Sequence, residues 1–393
     1  MAQPVQQVHD LLAQVRELSS QLSSAERGQV QHSLLSVLSQ LETPYEYMLR
    51  LSRSHLQLAC IRVGVDTGLF RALVNSSSPL SSGNLSEKTG IAPDLLGRLL
   101  RFLASVGVVQ QTAVDEFSAE AITSDLAKPA LESGVHLLFD IHNKTFQAMP
   151  DFLEKHSYSE VNDVTKGIFQ DAFTTSLSCY EYLAQNSKLQ GYMQEAMSLQ
   201  KPEGDWASAL RIDEAVQSWS ISEPTRVLFV DIGGGLGHQC IRMRETYPDI
   251  AGRVILQDMP ITIGRLTKPM PHGIEAMEHN FDNLQPIKNA KFYYLRNVLH
   301  GLPDSNCITM LKKIAPSMNA ESVLVIDDIV IPDIGARSQA CQLDFIMMAS
   351  IAGMKRTRQQ WHTLLKAAGF TVMEIRTYSE PLQDSLILAS LAC

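Results

Sequence analysis

Four stretches hold residues whose types and spacing can do chemistry. In "YYLRNVLHGLPD" an apolar run ejects His300, four residues after Arg296, onto a glycine and a proline. A neutral imidazole, with an ordinary pKa of about 6.5, takes a proton from a hydroxyl near physiological pH when it lies within hydrogen-bond reach. In "VLFVDIGGGLGHQ" Gly233, Gly234, Gly235 and Gly237 stand between a strand and a helix start. A ligand can approach the backbone closely there, and the helix start offers free amide donors. Asp258, ending the next strand in "VILQDMP", is placed to accept ribose hydroxyls. In "VLVIDDIVIP", Asp327 and Asp328 either orient a neighbouring group or merely close a strand.

The glycine spacing fits a dinucleotide and S-adenosylmethionine alike. Asp231, just before the glycines, would repel a pyrophosphate but suits the ammonium end of an amino-acid-bearing cofactor. S-adenosylmethionine is therefore the better fit.

These residues need a sheet to carry them. Beyond Pro224 the apolar runs "TRVLFVDIG", "GRVILQDMP", "IEAMEHN", "AKFYYLRNVL", "ESVLVIDDIVIP", "FTVMEIRTYS" and "DSLILASLAC" alternate with helical stretches. Continuous β-branched runs joined by helices predict a parallel sheet covered on both faces. The last two runs are joined by too short a segment for a parallel crossover, so the final strand should be antiparallel. The result is an α/β class, doubly wound domain of seven strands over residues 221–393. The helix before the sixth strand should include "RTRQQWHTLLKAAG", with Gly369 as its C-cap.

Residues 1–220 read as a helical domain, with apolar residues three and four apart. Within it, from about 50 to 125, helix, turn, helix and a short hairpin form a winged-helix pattern. Its second helix offers Arg98 and Arg101 against nearby Asp94 and Glu116, and the chain's net charge is -9 over 393 residues. An acidic surface disfavours nucleic-acid phosphates, so the unit reads as a packing and dimerisation module. Cys60, Cys179, Cys240, Cys307, Cys341 and Cys393 lack zinc or CxxC spacing, so neither a metal nor a disulfide framework is expected. No apolar run approaches a membrane span, and the chain reads as a cytoplasmic one.

From about residue 20 onward the chain resembles the fungal small-molecule O-methyltransferases related to the plant caffeic-acid type. The resemblance is carried by "VDIGGGLGH", "LQDMP", "HNFDNLQP", "YYLRNVLHGLPD", "VLVIDDIVIP", "LDFIMMASIAGMKRT" and "LLKAAGF", in this order. It implies a winged-helix dimerisation domain, which also serves as a substrate lid, followed by a class I methyltransferase sheet. It implies that Gly233 to Gly237 and Asp258 hold S-adenosyl-L-methionine, that Met259, Asn280 and Phe281 border its adenine, and that Arg296 reaches its methionine end. It implies His300 as the general base. It also implies a pocket for an aromatic or polyketide-derived hydroxyl lined by Phe139, Phe146, Met149, Asp344, Met347 and Met348, and a homodimer.

The departures from that pattern bear on the chemistry. Asp328 stands where relatives carry a glutamate and, one methylene shorter, is expected to reach the ring only through water. Gly301 replaces an aspartate, Asn280 another, and Lys355 stands where a second carboxylate is expected. Lys355 either faces His300, where a cation disfavours the imidazolium, or points to solvent. His142 in "LLFDIHNKTFQAMP" is either a packing residue or, with Lys355, a second hydrogen-bond donor to a substrate carbonyl. That pair brings in another chemistry, the pericyclases on the same scaffold, which bind the cofactor and rearrange substrates without methyl transfer.

Overall fold

The computed structural model describes residues 3–197, 204–216, 225–266, 268–380 and 382–392. The chain groups into two compact units, residues 1–144 with 180–201 and residues 145–179 with 202–393. Residues 145–179 thus belong with the sheet, and the division is not a single cut at 220/221. That boundary, Pro224 and Cys393 lie outside the described residues.

The first unit opens with helices Gln3–Ser19, Ser24–Leu41 and Pro44–Asp66. The second and third begin on capping boxes, Ser23 with Glu26 and Thr43 with Glu46, each satisfying two amides left open at a helix start. The helix-turn-helix follows as Ser82–Thr89 and Pro93–Ser105. Gly90, at φ +73°, takes the left-handed conformation that ends the first of these helices. Strands β1 (Leu80–Ser81), β2 (Val109–Ala113) and β3 (Glu116–Ala119) form a small antiparallel sheet in the order β1-β3-β2, so the unit is not wholly helical. Phe70, Leu85, Leu96, Leu100, Leu103 and Phe117 form its core. Arg98 and Arg101 stay on the surface.

The second unit contains all seven expected strands. They are β4 (Val227–Ile232), β5 (Arg253–Asp258), β6 (Glu275–Glu278), β7 (Phe292–Arg296), β8 (Val323–Ile331), then β10 (Phe370–Ser379) and β11 (Asp384–Leu391) after a short β9 (Arg356–Thr357). Their order is β10-β11-β8-β7-β4-β5-β6, and β9 pairs with β8. β11 runs antiparallel to both its neighbours, as the short connection required. Alternate strand residues face opposite sides. On one face Val230, Tyr293, Leu295, Leu324 and Ile326 pack under Leu311, Trp361 and Leu365. On the other, Phe229, Leu256, Tyr294, Val325 and Leu386 pack under Trp206, Leu210 and Met243.

The helix before β10 is shorter than expected. Arg356 and Thr357 are β9, the helix runs Arg358–Ala367, and Ala368 is its cap. Gly369, at φ +88°, sits one residue beyond, where the chain must turn into β10. Among the described residues no helix is long and apolar enough to cross a membrane, and no group of side chains is placed to hold a metal ion.

Candidate active site

His300 sits in a one-turn 3-10 helix, Leu299–Gly301, just past the carboxyl end of β7. Asn297, at φ +54°, turns the chain out of the strand, a conformation asparagine tolerates better than most residues. A segment from a distant part of the sequence then grips this turn. The Met354 amide donates to the His300 carbonyl at 2.8 Å. A Cβ on Gly353 would overlap that carbonyl, so only glycine permits the approach. Arg356, fully buried, donates to the carbonyls of Leu299 and Leu302 at 2.9 Å each and forks onto Asp304 at 2.7 and 2.9 Å. Its guanidinium also lies over the Trp361 ring, 5.3 Å from the centroid.

Lys355 points inward and is buried, which excludes the solvent-facing alternative. Its Nζ lies 2.6 Å from His300 Nδ1 and 2.7 Å from Asp328 Oδ1. Asp328 contacts the same Nδ1 directly, through both oxygens at 3.1 Å, so no water is needed to bridge the shorter side chain. The reason is register: Asp328 lies near the end of β8, which pairs with β7, and the His300 turn folds back over it. Burial alone would raise the Asp328 carboxyl, but His300 and Lys355 outweigh it and hold the group well below the ordinary carboxylate range. Asp327, on the opposite face, accepts from Arg296 Nη1 at 2.6 Å and from the Tyr378 hydroxyl at 2.6 Å, and also from the Tyr294 hydroxyl. Neither aspartate merely closes the strand.

Asp231 lies near the end of β4 and the glycine turn follows that strand, its Gly233 and Gly234 amides donating to the Gln257 carbonyl of neighbouring β5 at 2.8 and 3.1 Å. Gly233, Gly235 and Gly237 all adopt left-handed φ. A Cβ on Gly234 would overlap the Asp231 carboxylate and Leu256, and one on Gly237 would overlap Met270. Asp231 is buried and pushed up to about 7, mainly by desolvation, and its Oδ1 has no hydrogen-bond partner among the described residues. A buried carboxylate oxygen beside a cradle of glycine backbone fits the ammonium group of an amino-acid-bearing cofactor. Asp258 accepts from the Gly235 amide at 2.8 Å and the Met259 amide at 2.7 Å, which ties the carboxylate to the glycine turn. Asn280 and Phe281 follow β6 directly beside that strand end; the Asn280 side chain accepts from the Asp282 amide at 2.8 Å. Arg296 is held by Asp327, and its charge acts on Asp231.

Of the expected pocket residues, Phe146, Met149 and Met348 cluster with Phe152, Ile168 and Ala349 in the second unit. Met347 lies on the same helix, Ser338–Ile351, as Met348. Asp344 accepts from the Lys355 backbone amide at 2.6 Å, so it positions the lysine segment. Phe139 and His142 belong to a π-helical turn, Leu137–His142, of the first unit. Burial lowers the His142 imidazole to about 4, which keeps it neutral at physiological pH. Sequence reading missed Gly353, Arg356 and Asn297; the first two were present only inside the run "AGMKRT" and the third only inside "YYLRNVLHGLPD".

An O-methyltransferase domain model matches residues 155–371, and an O-methyltransferase dimerisation domain model matches residues 49–128. The chain is 61% identical over 358 residues to the O-methyltransferase dpfgI of Gibberella zeae, covering 91% of this chain and 94% of that one. It superposes on the structure of LepI complexed with SAM at TM-score 0.90 and 36% identity, covering 99% and 100% of the two chains. A structure described as a pericyclic reaction enzyme fits at TM-score 0.89 and 36% identity, covering 98% of this chain and 100% of that one.

Proposed function

This chain belongs to the O-methyltransferase family, and on that premise we propose that it methylates a hydroxyl oxygen of an aromatic or polyketide-derived small molecule at His300. Its cofactor, S-adenosylmethionine, supplies an electrophilic methyl group when bound. The observation that carries the reading is the unpartnered Asp231 oxygen under the glycine turn, in the same sheet whose next strand leads to His300. Asp231 holds the ammonium end, Asp258 the ribose, and Met259, Asn280 and Phe281 the adenine edge. His300 meets the acceptor oxygen, while Asp328, Lys355 and Arg356 fix the ring. Phe146, Met149, Asp344, Met347 and Met348, all of the second unit, shape the space around the acceptor. Fixed orientation of two reactants is itself a large part of such catalysis.

The test is conversion with isotope-labelled methyl donor across hydroxylated aromatic and polyketide compounds. Label should appear on oxygen in the product. A compound that binds the cofactor-loaded protein yet never acquires label counts against methyl transfer.

A second reading, a pericyclic or dehydration step with no methyl transferred, is favoured by the direct contact of Lys355 with His300. A cation feeding a histidine donor polarises a substrate carbonyl without any base. Here Lys355 acts through His300, and His142 is the expected second donor. A product of changed ring connectivity and unchanged methyl count would select this reading. Full retention of that conversion in both Lys355→Ala and His142→Ala would remove those roles.

A further inference from the structure

The contacts at His300 Nδ1 decide which hydrogen the ring can offer. A lysine ammonium has three donors and no acceptor, so at 2.6 Å from Nδ1 it must point a hydrogen at a lone pair. The same ammonium pairs with Asp328 at 2.7 Å, and these two contacts are shorter than those of 3.1 Å between the ring and the carboxylate. Lys355 is therefore the hub of the triad. With Nδ1 accepting, a neutral ring carries its proton on Nε2, which has no hydrogen-bond partner among the described residues. Position 301 is a glycine and adds no carboxylate that would draw a proton back to Nδ1.

We infer that His300 presents an N–H donor, and that the oxygen it meets is already an anion: the substrate class is an acidic enol of a β-dicarbonyl ring, a vinylogous acid, rather than a phenol. This rests on the methyl-transfer reading. A phenol, like tyrosine, keeps its proton to about pH 10 and needs a base, which an Nε2–H ring is not. An enol of this kind is ionised at neutral pH and needs only a donor to hold it. In the step itself the enolate oxygen forms its bond to the methyl carbon, the carbon–sulfur bond breaks with its electron pair kept by sulfur, and no proton moves.

Two measurements on the full-length chain loaded with S-adenosylhomocysteine or S-adenosylmethionine test this. First, histidine-selective nitrogen-15 labelling and long-range proton–nitrogen NMR, with His300 assigned by its loss in His300→Gln, reads the tautomer without turnover. The expected result is Nε2–H, changing to Nδ1–H in Lys355→Met; Nδ1–H in the parent overturns the inference. Second, methyl transfer is compared for 4-hydroxy-6-methyl-2-pyrone, an acidic enol, and 3,5-dihydroxytoluene, a phenol, at pH 7.5. The pyrone should be preferred by at least about 100-fold in kcat/KM, the scale of a lost donor or missing base. His300→Gln, whose amide still donates, should stay within about tenfold of the parent on the pyrone, while His300→Leu falls by about 100-fold or more. Equal turnover of the phenol, or His300→Gln as inactive as His300→Leu, overturns the inference. If neither probe is methylated, methyl transfer to such rings is what fails, and the NMR result still upholds or overturns the donor assignment.

Discussion

An aspartate sealed beneath a glycine turn must either hold a proton or be answered by a cation. Burial pushes the Asp231 carboxyl up to about 7 from an ordinary 3.8, with the charge of Asp258 adding to the effect and the Cys240 thiol opposing it. Between those values the folded chain keeps a proton that the unfolded chain has released, so this group makes stability fall as pH rises from about 4 to about 7. Asp231→Asn removes the penalty and also the proposed partner of the cofactor's ammonium group. Thermal scans at pH 7.5 should show the free variant no less stable than the parent, while calorimetry shows S-adenosylhomocysteine binding weakened at least about tenfold. A variant with unchanged affinity would place the ammonium elsewhere. In the parent, binding should release a proton near pH 7, visible as a dependence of the binding heat on the buffer's ionisation enthalpy.

The five residues from Ala352 to Arg356 form the element that makes His300 usable. Ala352, at φ +51°, ends the helix Ser338–Ile351, and Gly353 lets the chain pass against the His300 carbonyl. Met354, Lys355 and Arg356 then each bond to the turn or its ring. Arg356→Met would take the guanidinium donors from the Leu299 and Leu302 carbonyls, leaving Leu299 only the longer contacts from the Leu302 amide at 3.2 Å and the Cys307 thiol at 3.3 Å. Charge-assisted hydrogen bonds of this kind contribute roughly 1.5 to 3 kcal/mol each. Asp304 is half exposed, so its share is screened and is not counted. A melting temperature lower by roughly 5 to 10 °C is expected. Turnover should fall more than about tenfold with cofactor affinity within about twofold, because the glycine turn is untouched while the ring is no longer held. Arg356→Lys should recover little, since an ammonium cannot fork between two carbonyls and a carboxylate. Equal losses of cofactor affinity and turnover would mean that Arg356 supports the whole sheet rather than the His300 turn.

For the whole molecule, the helix Gln3–Ser19 buries no side chain, and Leu11, Leu35, Tyr45 and Met48 among others are exposed on the first three helices. Together with the dimerisation domain over residues 49–128, this predicts a homodimer. Sedimentation at micromolar concentration should give twice the chain mass, and Leu35→Glu with Met48→Glu should shift the population toward monomer; a monomeric parent would refute this. Much of the architecture was legible in the sequence. The seven strands read as apolar runs because strands buried on both faces lack alternation, and the short final connection set the direction of β11. The places of the glycine turn, Asp258 and His300 were legible because they lie at strand ends, which sequence locates well. Lys355 was not, because nothing local distinguishes an inward lysine from the usual exposed one. Its contact with His300 spans 55 residues and that of Asp328 with His300 spans 28. Composition and spacing therefore determined that a histidine stands at the end of a cofactor-binding sheet. Only tertiary structure, by bringing an ammonium with no acceptor against one nitrogen of that ring, decided which hydrogen the histidine can offer.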